Sequence, residues 1–311
     1  MQNTIEKEVK SMIKRAITGF FILILTAGFI ALREISTLFF DAFVVILMFG
    51  SVVEMLLASK FSDKKINKIL VMVYPVLLTL IYIFSTSIQM ALLLQIASLL
   101  LMFMILMSVE LVKNGISRKH GDTLNVPSEL NSSLLAETNF SLQIMVYPTT
   151  LLGFLLGINH LGLQKGYVGI ILVFAVTMMT DIFAYLFGSL IKGAKFAPEI
   201  SPKKSVAGMI FGALGGMIAC ALGYVFFVYL GWFDNVFATV SSANVIAFFV
   251  LLGLFGTFAT QFGDLVASAY KRKVGIKDFG SIFPGHGGFM DRVDGLMFTG
   301  TLVYLLFALL I

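Results

Sequence analysis

Residues 243–265 read ANVIAFFVLLGLFGTFATQFGDL, with Asp264 the one charged side chain in the run, and residues 264–294 continue as DLVASAYKRKVGIKDFGSIFPGHGGFMDRVD. The first run is as long and as apolar as a bilayer-spanning helix has to be. The second holds the acids Asp264, Asp278, Asp291 and Asp294, the cations Lys271, Arg272, Lys273, Lys277 and Arg292, and His286, with Gly285, Gly287 and Gly288 beside Pro284. An apolar helix that runs straight into so polar a stretch decides the fold class. The chain is a membrane-embedded scaffold that presents a charged site at one face, and the composition of that site suits a polyanion and a metal.

Composition outward from this stretch agrees. The 311 residues are 59% hydrophobic and only 13% charged, against about 25% charged in soluble domains. Apolar runs fall at about 14–32, 38–58, 67–84, 88–109, 142–162, 167–190, 206–231, 243–265 and 295–311. Each approaches the ~20 residues a spanning helix needs, and a span must satisfy its own backbone hydrogen bonds. The expectation is an all-α, polytopic membrane helical bundle of about nine transmembrane helices. The first run follows Lys14 and Arg15, lacks a small-residue cleavage site and reads as a retained helix. Of the 22 Lys and Arg residues, all but Arg33 and Lys165 fall in segments on one side if the helix count is odd. The positive-inside rule then predicts a cytoplasmic N-terminus, in the plasma membrane, with the 264–294 stretch facing the cytoplasm. The net charge of +5 reflects loop orientation and predicts no nucleic-acid partner. The chain divides into N-terminal helices and a cytoplasmic loop at 1–140, and a catalytic membrane region at 141–311. Within the first part, Val112–Thr138 reads as a linker with one short amphipathic turn around Glu129–Leu135.

Ionisable groups at membrane depth are expensive and mark candidate sites. Asp181, inside the run at 167–190, has Tyr185 one turn later on the same face. Asp41 near an outer end reads as solvated, and Glu54 near an inner end could line a cavity. The loop from Lys192 to Ser205 carries Lys192, Lys195, Lys203 and Lys204 with two prolines, and Ser201–Ser205 opens the next helix. Hydroxyls, ammonium groups and free helix N–H groups make an anion seat; a loop touching lipid headgroups reads equally well. In the 264–294 stretch, Asp264 and Ser268 are one helical turn apart, with Lys271 and Arg272 on the next. PGHGG gives tight backbone that a phosphate can approach. Asp291 and Asp294, three apart, share a face if a helix starts there. Hard oxygen ligands of this kind suit Mg2+, which commonly binds one or two carboxylates plus substrate phosphates. His286 reads as a hydrogen-bond donor to phosphate. Neither a P-loop nor a zinc-type cluster is present. Glycines at 208, 212, 215 and 216 read as a close helix–helix contact.

The run S-A-Y-K-R, then K-D, then P-G-H-G-G-F-M-D-R-V-D, unbroken from Ser268 to Asp294, resembles the C-terminal motif of the phosphatidate cytidylyltransferases, or CDP-diacylglycerol synthases. Asp181-x-x-Ala184-Tyr185 with Gly188, and Ile200-Ser201-Pro202-Lys203-Lys204-Ser205, agree with the same family. Many of its members carry Glu beside the position of Gly208 and before that of Ser268, where this chain has Val206, Ala207 and Ala267. The resemblance implies that CTP and phosphatidic acid react to CDP-diacylglycerol and pyrophosphate within the membrane lipids. It implies Mg2+ on Asp264, Asp291 and Asp294, and allows a second cation such as K+. It implies Lys271, Arg272 and Lys277 on the triphosphate, and Ser201, Lys203, Lys204 and Ser268 on nucleotide or lipid phosphate. His286, Gly287 and Arg292 complete the expected phosphate-binding motif, and Asp181 and Tyr185 line a polar cavity below. Small-residue helix faces leave room for a homodimer. Two other readings compete: a CTP-dependent lipid kinase, and an ion-coupled transporter built on Asp181, Asp41 and Glu54.

Overall fold

The computed structural model describes residues 2–58, 65–119, 138–191, 193–233 and 236–311. Among the described residues, nine helices follow the apolar runs: α1 (Gln2–Leu32), α2 (Thr37–Ala58), α3 (Lys65–Phe84), α4 (Ile88–Lys119), α5 (Thr138–Asn159), α6 (Leu163–Leu190), α7 (Val206–Tyr229), α8 (Ser242–Val274) and α9 (Met290–Leu310). Among the described residues, the spans within α2 to α9 are each long and apolar enough to cross a membrane, and α1 adds a shorter apolar segment, Ile17–Leu32. Outward faces carry bare apolar side chains such as Ile210, Leu214, Ile218 and Leu222 on α7. In a soluble protein such a surface would be a liability; against lipid it needs no cover. The chain is a polytopic all-α membrane protein.

Several boundaries differ from a count of apolar residues. Helix α8 does not stop at 265. It continues to Val274 because Lys271, Arg272 and Lys273 occupy its last turn, where cations suit the helix dipole. Gly275, at φ 79°, then ends it in the left-handed conformation that glycine adopts readily. Helix α9 starts at Met290, five residues before its apolar run, and α4 continues to Lys119. Residues 120–137, with the turn expected around Glu129–Leu135, lie outside the described residues, as do Lys192 and His120.

The segment expected as a loop before α7 contains an antiparallel hairpin, β1 (Lys195–Ala197) and β2 (Ser201–Ser205), with Lys195 opposite Ser205. Ser205 ends β2 and caps α7, its Oγ accepting the Gly208 N–H at 3.1 Å. Helices α6 and α7 meet along a seam of small residues. A Cβ on Gly208 would lie 2.9 Å from the Ala184 carbonyl, and one on Gly215 would lie 2.5 Å from that of Met179. The expected close packing is therefore present, and it sets Asp181 and Tyr185 beside the hairpin.

At the end of the bundle away from the hairpin, Arg33 is buried. It donates to Asn159 Oδ1 and to the carbonyls of Asn159, Gly162 and Leu163, and stacks 4.6 Å from the Tyr167 ring centroid. Asp41 is not solvated: it is buried, accepting from Asn159 Nδ2 at 2.8 Å and pairing with His160 Nε2 at 3.0 Å. Burying charge is tolerable only with partners. These ones tie the α1–α2 turn to the α5–α6 turn, so Asp41 reads as structural.

Candidate functional site

The site is built on the crossing of α8 and α9. An added Cβ at Gly263 would lie 2.1 Å from the Asp294 carbonyl oxygen, so only hydrogen fits between these backbones. Thr260 Oγ1 meets Thr299 Oγ1 at 2.7 Å one turn further along. The contact brings Asp264 of α8 and Asp294 of α9 to one cavity of about 530 Å3.

Two further walls complete that cavity, and α8 and α9 add more of their own residues. Helix α6 contributes Asp181 and Tyr185, the hairpin contributes Ser201, Lys203 and Lys204, and the helices α8 and α9 add Lys271, Asp291 and Arg292. Asp181, Asp264 and Asp294 lie within electrostatic reach of one another, and Lys204 and Arg292 act on Asp181 with the opposite sign. Lys204 Nζ pairs with Asp264 Oδ2 at 2.8 Å and reaches the Gln261 carbonyl at 3.3 Å. Ser268 is buried, and its Oγ donates to Asp264 Oδ1 at 3.4 Å. Asp294 accepts the Gly295 N–H on Oδ1 at 2.9 Å.

Asp291 sits differently. Its Oδ1 pairs with Lys271 at 2.7 Å, and its Oδ2 accepts the backbone N–H groups of Phe279 and Gly288 at 2.9 and 3.0 Å. Lys271 also lies 5.6 Å from the centroid of the Phe279 ring. One carboxylate thus gathers both ends of the loop between α8 and α9. Within that loop the Phe283 N–H reaches the Gly287 carbonyl and the His286 N–H reaches that of Phe283. Gly287 has φ 81°, and a Cβ there would lie 2.6 Å from Asp291 Oδ2, so position 287 is closed to larger residues on two grounds.

The loop frames a second hollow of about 450 Å3 lined by Lys277, His286 and Gly287, which shares Lys203, Asp278 and Arg292 with the first. Most of the expected site residues therefore converge on two adjoining spaces. Two do not line either. Ser268 lies behind Asp264 as its donor, and Arg272 is exposed, with Nε on the Ile200 carbonyl at 3.2 Å, where it braces the hairpin against α8. Ala267 is fully buried, so a longer acidic side chain there would need room that this chain does not show.

Among the described residues no three acidic, His or Cys side chains form a ready-made metal cage. Mg2+ does not require one, since it keeps several waters and takes one or two carboxylates with substrate phosphates. Asp264 and Asp294, neighbouring carboxylates at a shared cavity, fit that donor set. Asp291 fits it less well: it is buried and held by Lys271 and two backbone N–H groups, whereas Asp264, which meets Lys204 and Ser268, keeps 41% of its side chain exposed.

Glu54 is the residue whose place the sequence left open. It lines neither space. Its carboxylate accepts the N–H groups of Phe289 and Met290, each at 2.9 Å, at the start of α9. Its position on an inner turn of a hydrophobic helix was the available signal; its partner, more than two hundred residues away, was not visible.

Residues 13–310 match the model of the Cytidylyltransferase family. The chain is 37% identical over 186 residues to a phosphatidate cytidylyltransferase of Thermotoga maritima, covering 59% of this chain and 63% of that one. It is 38% identical over 139 residues to the chloroplastic phosphatidate cytidylyltransferase 4 of Arabidopsis thaliana, covering 45% and 32%. With the phosphatidate cytidylyltransferase of Rickettsia bellii it shares 36% identity over 138 residues, 43% of this chain and 55% of the relative. The matched stretch spans less than two thirds of each of these curated relatives.

Proposed function

This chain belongs to the cytidylyltransferase family, and on that premise we propose that it transfers the cytidylyl group of CTP to phosphatidic acid, giving CDP-diacylglycerol and pyrophosphate. The observation that carries the reading is the single cavity in which Asp264 and Asp294 stand beside Lys203, Lys204 and Arg292, while Asp181 and Tyr185 extend its polar lining onto a membrane-spanning helix. That shape suits one substrate that is a soluble polyanion and another whose acyl chains stay in lipid. The distribution of Lys and Arg supports a cavity and an N-terminus on the cytoplasmic side, and on this reading the membrane is the plasma membrane.

The lipid phosphate monoester is largely ionised near neutral pH. One of its oxygens attacks the α-phosphorus of CTP. The new P–O bond forms as the bond to the bridging oxygen of the β-phosphate breaks, and pyrophosphate leaves with that electron pair. No strong base is needed, so the protein contributes position and charge. Asp264 and Asp294 would hold Mg2+, which supplies positive charge against the phosphates, and a second cation such as K+ is compatible with the acid count. Lys204 and Lys271 now neutralise Asp264 and Asp291. With nucleotide bound, they exchange carboxylate for phosphate partners. Lys203, Lys277, His286 and Arg292 around the second hollow hold the outer phosphates, with Gly287 allowing close backbone approach. Ser201 and Tyr185 face the lipid phosphate. Ser268 orients Asp264, and Asp291 and Arg272 hold the loop and hairpin in place.

The test uses purified protein in mixed micelles with phosphatidic acid, Mg2+ and CTP labelled on the α-phosphate. Label entering the lipid phase with release of pyrophosphate supports the reading. Label remaining in CDP, with the γ-phosphate on a lipid, replaces it with a lipid kinase. Solute flux without CTP consumption replaces it with a transporter.

Among single cations, Lys204→Ala is expected to raise KM for CTP about 10- to 100-fold, the equivalent of one charge-assisted hydrogen bond of about 1.5–3 kcal/mol. Arg272→Ala, at the rim, is expected to change it less than about threefold, as surface charges do. Initial rates against CTP concentration separate the two, and equal effects would remove the distinction drawn between cavity and rim.

A further inference from the structure

The start of α9 carries Asp291, Arg292 and Asp294 within its first turns, so the azimuth of that helix sets the site. No side chain of its own caps it: Phe289 stands at the cap position and provides no hydrogen bond. The cap comes from α2. Glu54 is buried, and Oε1 accepts from Phe289 N while Oε2 accepts from Met290 N. Two glycines of the motif stretch make room for it, since a Cβ on Gly280 or Gly288 would lie 2.2 or 2.1 Å from Glu54 Oε1. One turn earlier on α2, Gly50 receives the Phe289 ring, 2.4 Å from where its own Cβ would be. From α1, Thr18 Oγ1 reaches the Pro284 carbonyl at 3.1 Å. The N-terminal helices are thus the back wall of the motif loop.

The loop between α8 and α9 is consequently clipped by two carboxylates. Asp291 holds Phe279 and Gly288, and Glu54 holds Phe289 and Met290. Keeping a second carboxylate in a buried place near Asp291 is unfavourable by itself. Two backbone N–H groups and the positive end of α9 offset that cost, and they do so only while the helix starts where it does.

We propose that Glu54 is a positioning residue for the transfer reaction, fixing the first turn of α9 and through it Asp291, Arg292 and Asp294. This rests on the reading of the site given above and extends it to a helix that carries none of the motif residues. Glu54→Gln keeps one acceptor oxygen and turns an amide N–H toward the other donor; Glu54→Ala removes both acceptors.

The experiment has two readouts on full-length protein in micelles. Hydrogen–deuterium exchange of the peptide spanning 279–290 reports the clip without reference to activity. It is expected to speed up about 10-fold or more in Glu54→Gln and further in Glu54→Ala. Turnover per folded molecule is expected to fall about 10-fold and about 100-fold, the range for lost supporting contacts around a metal site. The Mg2+ concentration for half-maximal rate is expected to rise in parallel, with KM for phosphatidic acid unchanged. Exchange as slow as in the parent chain overturns the proposal. So does faster exchange with unchanged turnover and Mg2+ dependence, which is what a purely structural contact gives. If Glu54→Ala does not fold, Glu54→Gln decides between the same outcomes. If the parent protein shows no cytidylyl transfer, the functional reading fails on its own, and the exchange result still judges the clip.

Discussion

Asp264→Asn is expected to lower cytidylyl transfer by at least about 10²–10³-fold, the scale on which one preorganised charge-stabilising group acts, while leaving the fold intact. The reason lies in its surroundings. Asp264 keeps 41% of its side-chain surface open to the cavity, and its partner Lys204 keeps 24%. An ammonium so placed stays solvated when its carboxylate is neutralised, and a partly exposed pair contributes about 0–1 kcal/mol to stability. Activity and stability therefore separate at this position. Asp291→Asn is expected to behave otherwise. That pair is buried, with 12% and 4% of the Lys271 and Asp291 side chains exposed. The amide cannot accept from Lys271 and from two backbone N–H groups at once. Breaking a buried pair costs about 3–5 kcal/mol, so Asp291→Asn is expected to lose both turnover and melting temperature. Rates and thermal unfolding measured on both variants in one detergent check this. Equal destabilisation would mean that the two carboxylates do the same job; full activity in Asp264→Asn would remove it from metal binding.

The contrast between these two acids shows where reading the sequence stops. Spacing put Asp291 and Asp294 on one face of a helix, and the helix is there. Both line the cavity, and spacing does not say which of them also holds the loop, because that depends on where Phe279 and Gly288 come to rest. The apolar runs gave the nine helices, since hydrophobic length is a local property. They misplaced the end of α8, since a helix can continue past the membrane on its charged residues. The hairpin before α7 was hidden by its lysines and prolines, which read as loop. Asp41 and Glu54 are two acids in one apolar helix, and only their depth set them apart, the first read as solvated and the second as able to line a cavity. Their roles came from partners in distant segments: Asn159 and His160 for the first, the start of α9 for the second. What local pattern determines was legible, and what a long-range contact determines was not.

The α8–α9 crossing gives the second large effect. Gly263→Ala is expected to lower turnover about 10²-fold or more and to reduce the melting temperature. In a helix interior this substitution would otherwise be favourable by about 1 kcal/mol, so the contact has to decide the sign. The added methyl would lie 2.1 Å from the Asp294 carbonyl oxygen, 2.9 Å from its carbon and 2.8 Å from the Phe298 ring. The ring can turn; the carbonyl belongs to the backbone of α9 and moves only with the helix. Overpacking of this kind costs about 1–3 kcal/mol, which exceeds the propensity gain. The relief available is for α8 and α9 to separate, and that displaces Asp294 from Asp264. A misplacement of about 1 Å can cost about 10²-fold in rate. Gly28→Ala in α1 is the matched control, because a Cβ there meets nothing within 4 Å; it is expected to be neutral or slightly stabilising. A Gly263→Ala protein with the activity and melting temperature of the Gly28→Ala control would show that the two helices have room to spare. The close crossing would then not be what holds the acidic pair together.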